Sequence, residues 1–222
     1  MLSSYKTSLV FLSATLLGCA GTGSSNHERP AASYDPQTGR LERLVFDSND
    51  DGRNDAAGVL DGARVKQIEL DSNGNGTVDR WDFYDADGKI VKVGLSRADD
   101  GVMDAVAVYA GDQRLQQLDV STRRDGRFDR VEFYEAGQLT RAEEDTDADG
   151  LVDKWESYRP NPGAGPGEPP VLLSSVAFDD EKRGRPSRRL VYALDGQVTR
   201  VEDDPRGDGT VGDARATSAA GR

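Results

Sequence analysis

Asp129-Arg130-Val131-Glu132-Phe133-Tyr134, the turn at Ala136-Gly137, and then Asp145-Thr146-Asp147-Ala148-Asp149-Gly150-Leu151-Val152-Asp153-Lys154-Trp155-Glu156 decide how the chain is read. In the first run apolar residues alternate with charged ones, a period of two that suits a half-buried strand and that a helix cannot use. Asp79-Arg80-Trp81-Asp82-Phe83-Tyr84 repeats the pattern. Turns follow at Asp85-Ala86-Asp87-Gly88, Ala110-Gly111-Asp112 and Leu194-Asp195-Gly196. After them come second runs, among them Lys89-Ile90-Val91-Lys92-Val93 and Gln197-Val198-Thr199-Arg200-Val201. Strand, Gly turn and strand together make a hairpin.

The pattern recurs along the chain. Gly52, Gly76, Gly101, Gly126, Gly150, Gly184 and Gly209 stand at spacings of 24, 25, 25, 24, 34 and 25. A fixed period of this kind marks a repeat architecture, here about seven units, each an Asp-rich loop followed by a hairpin. The long spacing contains Arg159 to Pro170, whose Pro and Gly content predicts an exposed irregular loop that divides five units from two. Tyr84, Tyr109, Tyr134, Tyr158 and Tyr192 hold one register, with Leu60 in the first unit, as packing residues at strand ends. Around fourteen strands exceed what a twisted open sheet usually carries, so an all-β antiparallel meander that curls or closes is expected. All Asp-rich loops then fall along one edge and all Gly turns along the other. The boundaries read as a signal segment at 1–18, a Cys and flexible tether at 19–40, and repeats one to five at 41–158. The Pro/Gly loop at 159–170, degenerate repeats at 171–213 and a disordered tail at 214–222 complete the chain.

The chemistry sits in the loops. Asp145, Asp147 and Asp149 put carboxylates at the first, third and fifth positions, followed by Gly150, Leu151 with its backbone carbonyl at the seventh, Asp153 at the ninth and Glu156 at the twelfth. Calcium takes six to eight oxygens, and Gly permits the bend that folds a tight loop round the ion. This order resembles the calcium loops of EF-hand, dockerin and thrombospondin type-3 repeats, closely over residues 47–156 and loosely over 179–213. The resemblance implies Ca2+ as the bound ion. A second loop holds Asp47, Asn49, Asp51, Gly52 and Asp55, and a third Asp71, Asn73, Asn75, Gly76 and Asp79, with Asp82 at its twelfth place. The third has fewer carboxylates and should bind more weakly, since site charge tunes affinity. EF-hand and dockerin loops are flanked by helices, whereas these flanks alternate like strands. On an extended exit the three residues from Asp153 to Glu156 span roughly 10 Å, which works against Glu156 swinging back to the ion.

The remaining loops lose the pattern: Ser96, Ala98, Asp100 and Asp104; Ser121, Arg123, Asp125 and Asp129; Asp179, Glu181 and Arg183; Asp204, Arg206 and Asp208. Arg123, Arg183 and Arg206 stand at ligand positions and are expected to pair with leftover carboxylates in place of an ion. Asp, Asn and Gly are also what any surface turn prefers, so metal-free acidic turns are the competing reading.

The 222 residues include 28 Lys and Arg against 40 Asp and Glu, a net charge of −12. Such a surface repels a phosphate backbone, so no nucleic-acid partner is expected. One Cys excludes an internal disulfide, and one His, His27 in the tether, excludes His-built metal clusters. No nucleophile elbow, phosphate loop or zinc motif appears, and the Asp pairs recur with the period of the fold, so no enzyme is expected. With 31% charged and 36% hydrophobic residues the core is limited, and something besides apolar burial must help hold the units together.

The N-terminus reads as an address. Lys6, the apolar run Leu9 to Leu12, Ser13-Ala14-Thr15 and then Leu16-Leu17-Gly18 before Cys19 follow the order of a secretory signal. Leu16-Leu17-Gly18-Cys19 resembles the lipobox of bacterial lipoproteins. That resemblance implies cleavage before Cys19 and acylation, palmitate included, of its thiol and new amine; several chains anchor far more firmly than one. Ala20 in place of Asp after the Cys points to the outer membrane. The expectation is a lipid-anchored outer-membrane protein, on the periplasmic or surface face, whose acidic loops bind calcium in a structural or adhesive role. The alternative is a metal-independent interaction repeat that holds another envelope or surface protein.

Overall fold

The computed structural model describes residues 28–204 and residue 208. The expected signal segment, Cys19, His27, Arg206 and the tail at 214–222 lie outside the described residues. The strands are β1 (Ala31–Tyr34), β2 (Leu41–Phe46), β3 (Ala56–Asp61), β4 (Arg64–Leu70), β5 (Arg80–Tyr84), β6 (Ile90–Leu95) and β7 (Ala105–Tyr109). They continue as β8 (Leu115–Val120), β9 (Arg130–Glu135), β10 (Gln138–Glu144), β11 (Lys154–Pro160), β12 (Val171–Phe178), β13 (Arg188–Tyr192) and β14 (Val198–Asp203). All fourteen form one antiparallel sheet in strict chain order, with no helix among the described residues. The meander is as expected, and it stays open: β1 and β14 are its two ends. Because each strand reverses its predecessor, every Asp-rich loop emerges on one edge and every Gly turn on the other.

Two expectations are corrected. The tether does not run to residue 40, because Ala31–Tyr34 pairs with β2. Its turn closes through the Gly39 N–H on the Asp35 carbonyl at 2.8 Å, while the Asp35 carboxylate accepts the N–H groups of Gln37 and Thr38 at 2.8 Å each. Tyr34 precedes Tyr84 by 50 residues, two repeat periods, and that was the overlooked signal. The hairpin β1–β2 therefore stands before the first Asp-rich loop, and six such loops join seven hairpins. The Pro/Gly insertion does not divide the repeats. β11 and β12 pair along its stem up to Pro160 and Val171, and Asn161 N–H meets the Pro170 carbonyl at 2.9 Å, so the insertion is a long hairpin turn in an unbroken sheet. Once the ends are paired, extra loop length costs little.

Each hairpin carries one register shift at the same place: Phe83 pairs with Lys92 but Tyr84 with Ile90, and Val108 with Gln117 but Tyr109 with Leu115. The extra residue, Val91 or Gln116, is a bulge that adds right-handed twist at the Tyr. Paired residues share a face. Of nine buried apolar residues six are Ala, and Ala56, Val93, Ala105, Ala107, Val120, Ala142 and Val176 fall on one face. A buried methyl group contributes only about 0.8 kcal/mol, so this core is thin.

A charged network interrupts that face. Arg130 donates to Glu132 at 3.0 Å, to Glu144 at 3.0 Å and to Glu156 at 2.7 Å, and Lys154 pairs with Glu144 at 3.2 Å and Glu156 at 2.8 Å. The hydroxyls of Tyr134 and Tyr158 donate to Glu132 and Glu156. Burial pushes the Glu156 carboxyl up, but bonds from Lys154, Arg130 and Tyr158 outweigh it and hold the group at about 2. Burial and the neighbouring Glu156 carboxylate push the Tyr158 hydroxyl up to about 12.

Candidate metal centre

The six loops share one backbone design. In the four loops that open on Asp, the first residue turns its carboxylate onto the N–H of the glycine five places on: Asp47 on Gly52 at 2.7 Å, Asp71 on Gly76 at 2.6 Å, Asp145 on Gly150 at 2.9 Å and Asp179 on Gly184 at 2.5 Å; Ser96 and Ser121 open the other two. The fifth residue accepts from the seventh, as Asp51 does from Arg53 at 2.9 Å, Asn75 from Thr77 at 2.8 Å and Asp149 from Leu151 at 2.8 Å. The glycine is left-handed in every loop, with φ 93° at Gly150, a conformation that strains any residue with a Cβ. The fourth position is left-handed too, filled by Asp50, Gly74, Asp99, Arg124, Ala148 and Lys182.

Asp145, Asp147 and Asp149 are brought together. Each offers an oxygen, and these lie mutually within 4.8 Å, the one such group of three carboxylates among the described residues. Asp145 also accepts the Ala148 N–H at 2.7 Å, and Asp147 the Asp149 N–H at 3.3 Å. An ionised carboxylate has about four acceptor sites, so further capacity remains. Lys182 of the following loop reaches Asp147 at 2.6 Å. Its hydrogen bond holds the Asp147 carboxyl below the usual range, and the same contact raises the Lys182 ammonium. The triad thus already draws in one cation of the chain.

The other expected ligands stand elsewhere. Asp153 accepts the Thr146 N–H at 3.1 Å and its hydroxyl at 2.7 Å. The ninth residues Asp55 and Asp79 likewise take the N–H and hydroxyl of Ser48 and Ser72. This bond braces the loop across its neck and turns the ninth carboxylate toward the second residue. Glu156 lies on the sheet face, held by Arg130, Lys154 and Tyr158, and Asp82 pairs with Arg80 at 2.7 Å. Leu151 contributes its N–H to Asp149, and its side chain is exposed. In the second loop Asn49 accepts from Asp51 N–H at 2.9 Å and donates to the Asp51 carboxylate at 3.2 Å. In the third, Asn73 accepts from Asn75 N–H at 3.0 Å, while the Asn75 amide donates to the Asp99 carbonyl at 3.1 Å, which stitches that loop to the next.

Cations replace the lost ligands in the degenerate loops. Arg123 pairs with Asp129 at 3.3 Å and also donates to the carbonyls of Asp145 and Thr146 at 2.9 Å each; Arg183 pairs with Glu181 at 2.7 Å. The sequence reading missed the fourth-position cations. Arg124 reaches back to Asp100 at 2.6 Å and Asp104 at 2.9 Å, as Lys182 reaches back to Asp147. Arg97 holds the other oxygen of Asp104 at 3.1 Å and donates to the Ser121 carbonyl at 2.7 Å. Asp104 is 0% exposed; burial pushes its carboxyl up, and the bonds from Arg97 and Arg124 outweigh this and lower it. A basic residue at a left-handed position that usually takes Gly, Asn or Asp is the signal that was available. No protein-family model and no curated protein matches the chain.

Proposed function

We propose that the chain is a lipid-anchored cell-envelope protein of the bacterial outer membrane that binds Ca2+ through its repeat loops, foremost at Asp145, Asp147 and Asp149, in a structural or adhesive role. The triad carries this reading. Two oxygens at 2.3–2.6 Å from one ion stand no more than about 5 Å apart, and three carboxylates with oxygens within 4.8 Å meet that limit. Calcium there neutralises clustered charge and stiffens the loop edge of the sheet. Extracellular modules of this kind bind at about 10⁻⁴ to 10⁻³ M, which suits a protein in contact with external medium. The anchor rests on Leu16-Leu17-Gly18-Cys19 in the sequence.

Calorimetric titration of the full chain with CaCl2 tests it. Saturable heat is expected in the wild type and none from this loop in Asp147→Ala or Asp149→Ala, while Lys182→Ala removes a competing cation and tightens binding. Absence of saturable heat, with melting unchanged by calcium or chelator, refutes it. Cys19→Ser should abolish metabolic labelling by a palmitate analogue. The metal-independent alternative draws on Lys182, whose ammonium at 2.6 Å from Asp147 closes the loop without an ion. On that reading Lys182→Ala lowers the melting temperature and calcium does not restore it.

A further inference from the structure

The sheet ends at β14 with its backbone set to continue. Asp204 N–H bonds the Ser187 carbonyl at 2.8 Å, as Asp71 N–H bonds that of Asp55 and Asp179 N–H that of Asp153. This bond fixes the phase of the ladder. Arg200 and Glu202 turn their backbone groups to β13, and Val201 and Asp203 turn theirs to the far side, while Thr199 is the extra residue of the bulge. The equivalent residues of β12, Val176 and Phe178, face β13 in this way, and Ser187 N–H reaches the Phe178 carbonyl at 2.8 Å. Beyond β14 no further strand stands among the described residues. Unpaired backbone along an edge is a template for another strand.

The side chains select the partner. Arg200 and Glu202 flank Val201 on one face and pair with each other at 2.5 Å. If two copies of β14 run antiparallel about a two-fold axis at Val201, Arg200 of each stands opposite Glu202 of the other. The two Val201 residues then exchange both backbone bonds, and the Arg–Glu pairs fall at the non-hydrogen-bonded sites, where side chains come closest. At the other end of the sheet, β1 is Ala31-Ala32-Ser33-Tyr34 and offers no charge to complement these. We propose that β14 is a dimerisation edge, at which a second copy of this chain adds its own β14 and extends the fourteen-stranded sheet across an isologous junction.

Sedimentation velocity of the full chain at about 0.15 M salt, where the Debye length is about 8 Å, should show a species of two chains that grows with concentration. Arg200→Glu places like charges at both flanking pairs and should raise the dissociation constant about tenfold. Val201→Pro removes the outward N–H at the axis and should abolish the dimer. An edge strand tolerates Pro on its solvent side, so the circular dichroism of the monomer should be unchanged. With Cys19→Ser in place, Val201→Cys should form a disulfide between copies, since hydrogen-bonded partners stand about 5.5 Å apart and residue 201 meets itself only in this register. A single-chain mass at every concentration overturns the proposal. So does association that survives both Arg200→Glu and Val201→Pro, or growth past two chains without the Val201→Cys cross-link, which marks β14 stacking on β1.

Discussion

Replacing Arg130 by Met asks how much of the array is held by charge. Arg130 is 16% exposed at its side chain and bonds three carboxylates that are 12–18% exposed, Glu132, Glu144 and Glu156. Met keeps the apolar stem and deletes the charge, leaving Lys154 as the remaining cation of the network. Removing one partner of a buried ion pair costs about 3–5 kcal/mol, and the residual solvent contact places this case near 3. The Glu156 carboxyl shows the same coupling: burial raises it, and bonds from Lys154, Arg130 and Tyr158 together hold it at about 2, so part of that depression is lost with Arg130. For a chain of this size a loss of about 3 kcal/mol is a fall in melting temperature of about 6–12 °C. The pH dependence carries the sign. Because the folded-state value of Glu156 is depressed, its stabilisation is full above 4.5 and is lost as pH falls toward 2. In Arg130→Met the carboxylates crowd one another with one cation fewer, so protonation relieves the variant while it weakens the wild type. Urea denaturation across a pH series should show the gap widest at neutral pH and closing in acid. A loss under about 1 kcal/mol at pH 7, or a gap independent of pH, would refute the claim that this network holds the repeats together.

Three further outcomes follow from the same geometry. Asp104→Ala removes a buried carboxylate that both Arg97 and Arg124 bond and should cost about 2 kcal/mol in urea denaturation; a cost below about 1 would mean that solvent replaces those bonds. Gly150→Ala meets nothing within 4 Å of the added Cβ, so its cost of about 1–2 kcal/mol is backbone strain alone, and a neutral result in thermal melts would show that the loop can change its φ of 93°. Thr146→Val removes the hydroxyl bond to Asp153 and should cost about 1 kcal/mol while leaving calcium affinity within about twofold, because Asp153 stands apart from the triad. Loss of affinity in that variant would return Asp153 to the ion.

Strands β5 and β9 were legible because alternation is a local property: Trp81, Phe83, Val131 and Phe133 announce a face by their spacing in the chain. β1 was not, since Ala31-Ala32-Ser33-Tyr34 shows no alternation and is exposed at every position; it is a strand because β2 offers it an edge. The triad was legible for a similar reason. Asp145, Asp147 and Asp149 belong to one tight turn, so loop geometry alone gathers them. Asp153 and Glu156 obey the same spacing rule and still point elsewhere, because Thr146 and Arg130 offer them nearer donors.

By itself, then, the chain determined the period, the strand-and-turn alternation, the single loop edge and the gathering of three carboxylates, all set within one repeat. Tertiary pairing alone decided whether the sheet closes, which charges meet and which end stays exposed. Arg130 finds Glu156, Arg124 finds Asp100 and Lys182 finds Asp147 across 26, 24 and 35 residues, and such partners are chosen by the register of neighbouring strands and loops. A shift of one residue in β9 or β11 would send Arg130 or Glu156 to the opposite face, and would move the loops that carry the other pairs out of reach.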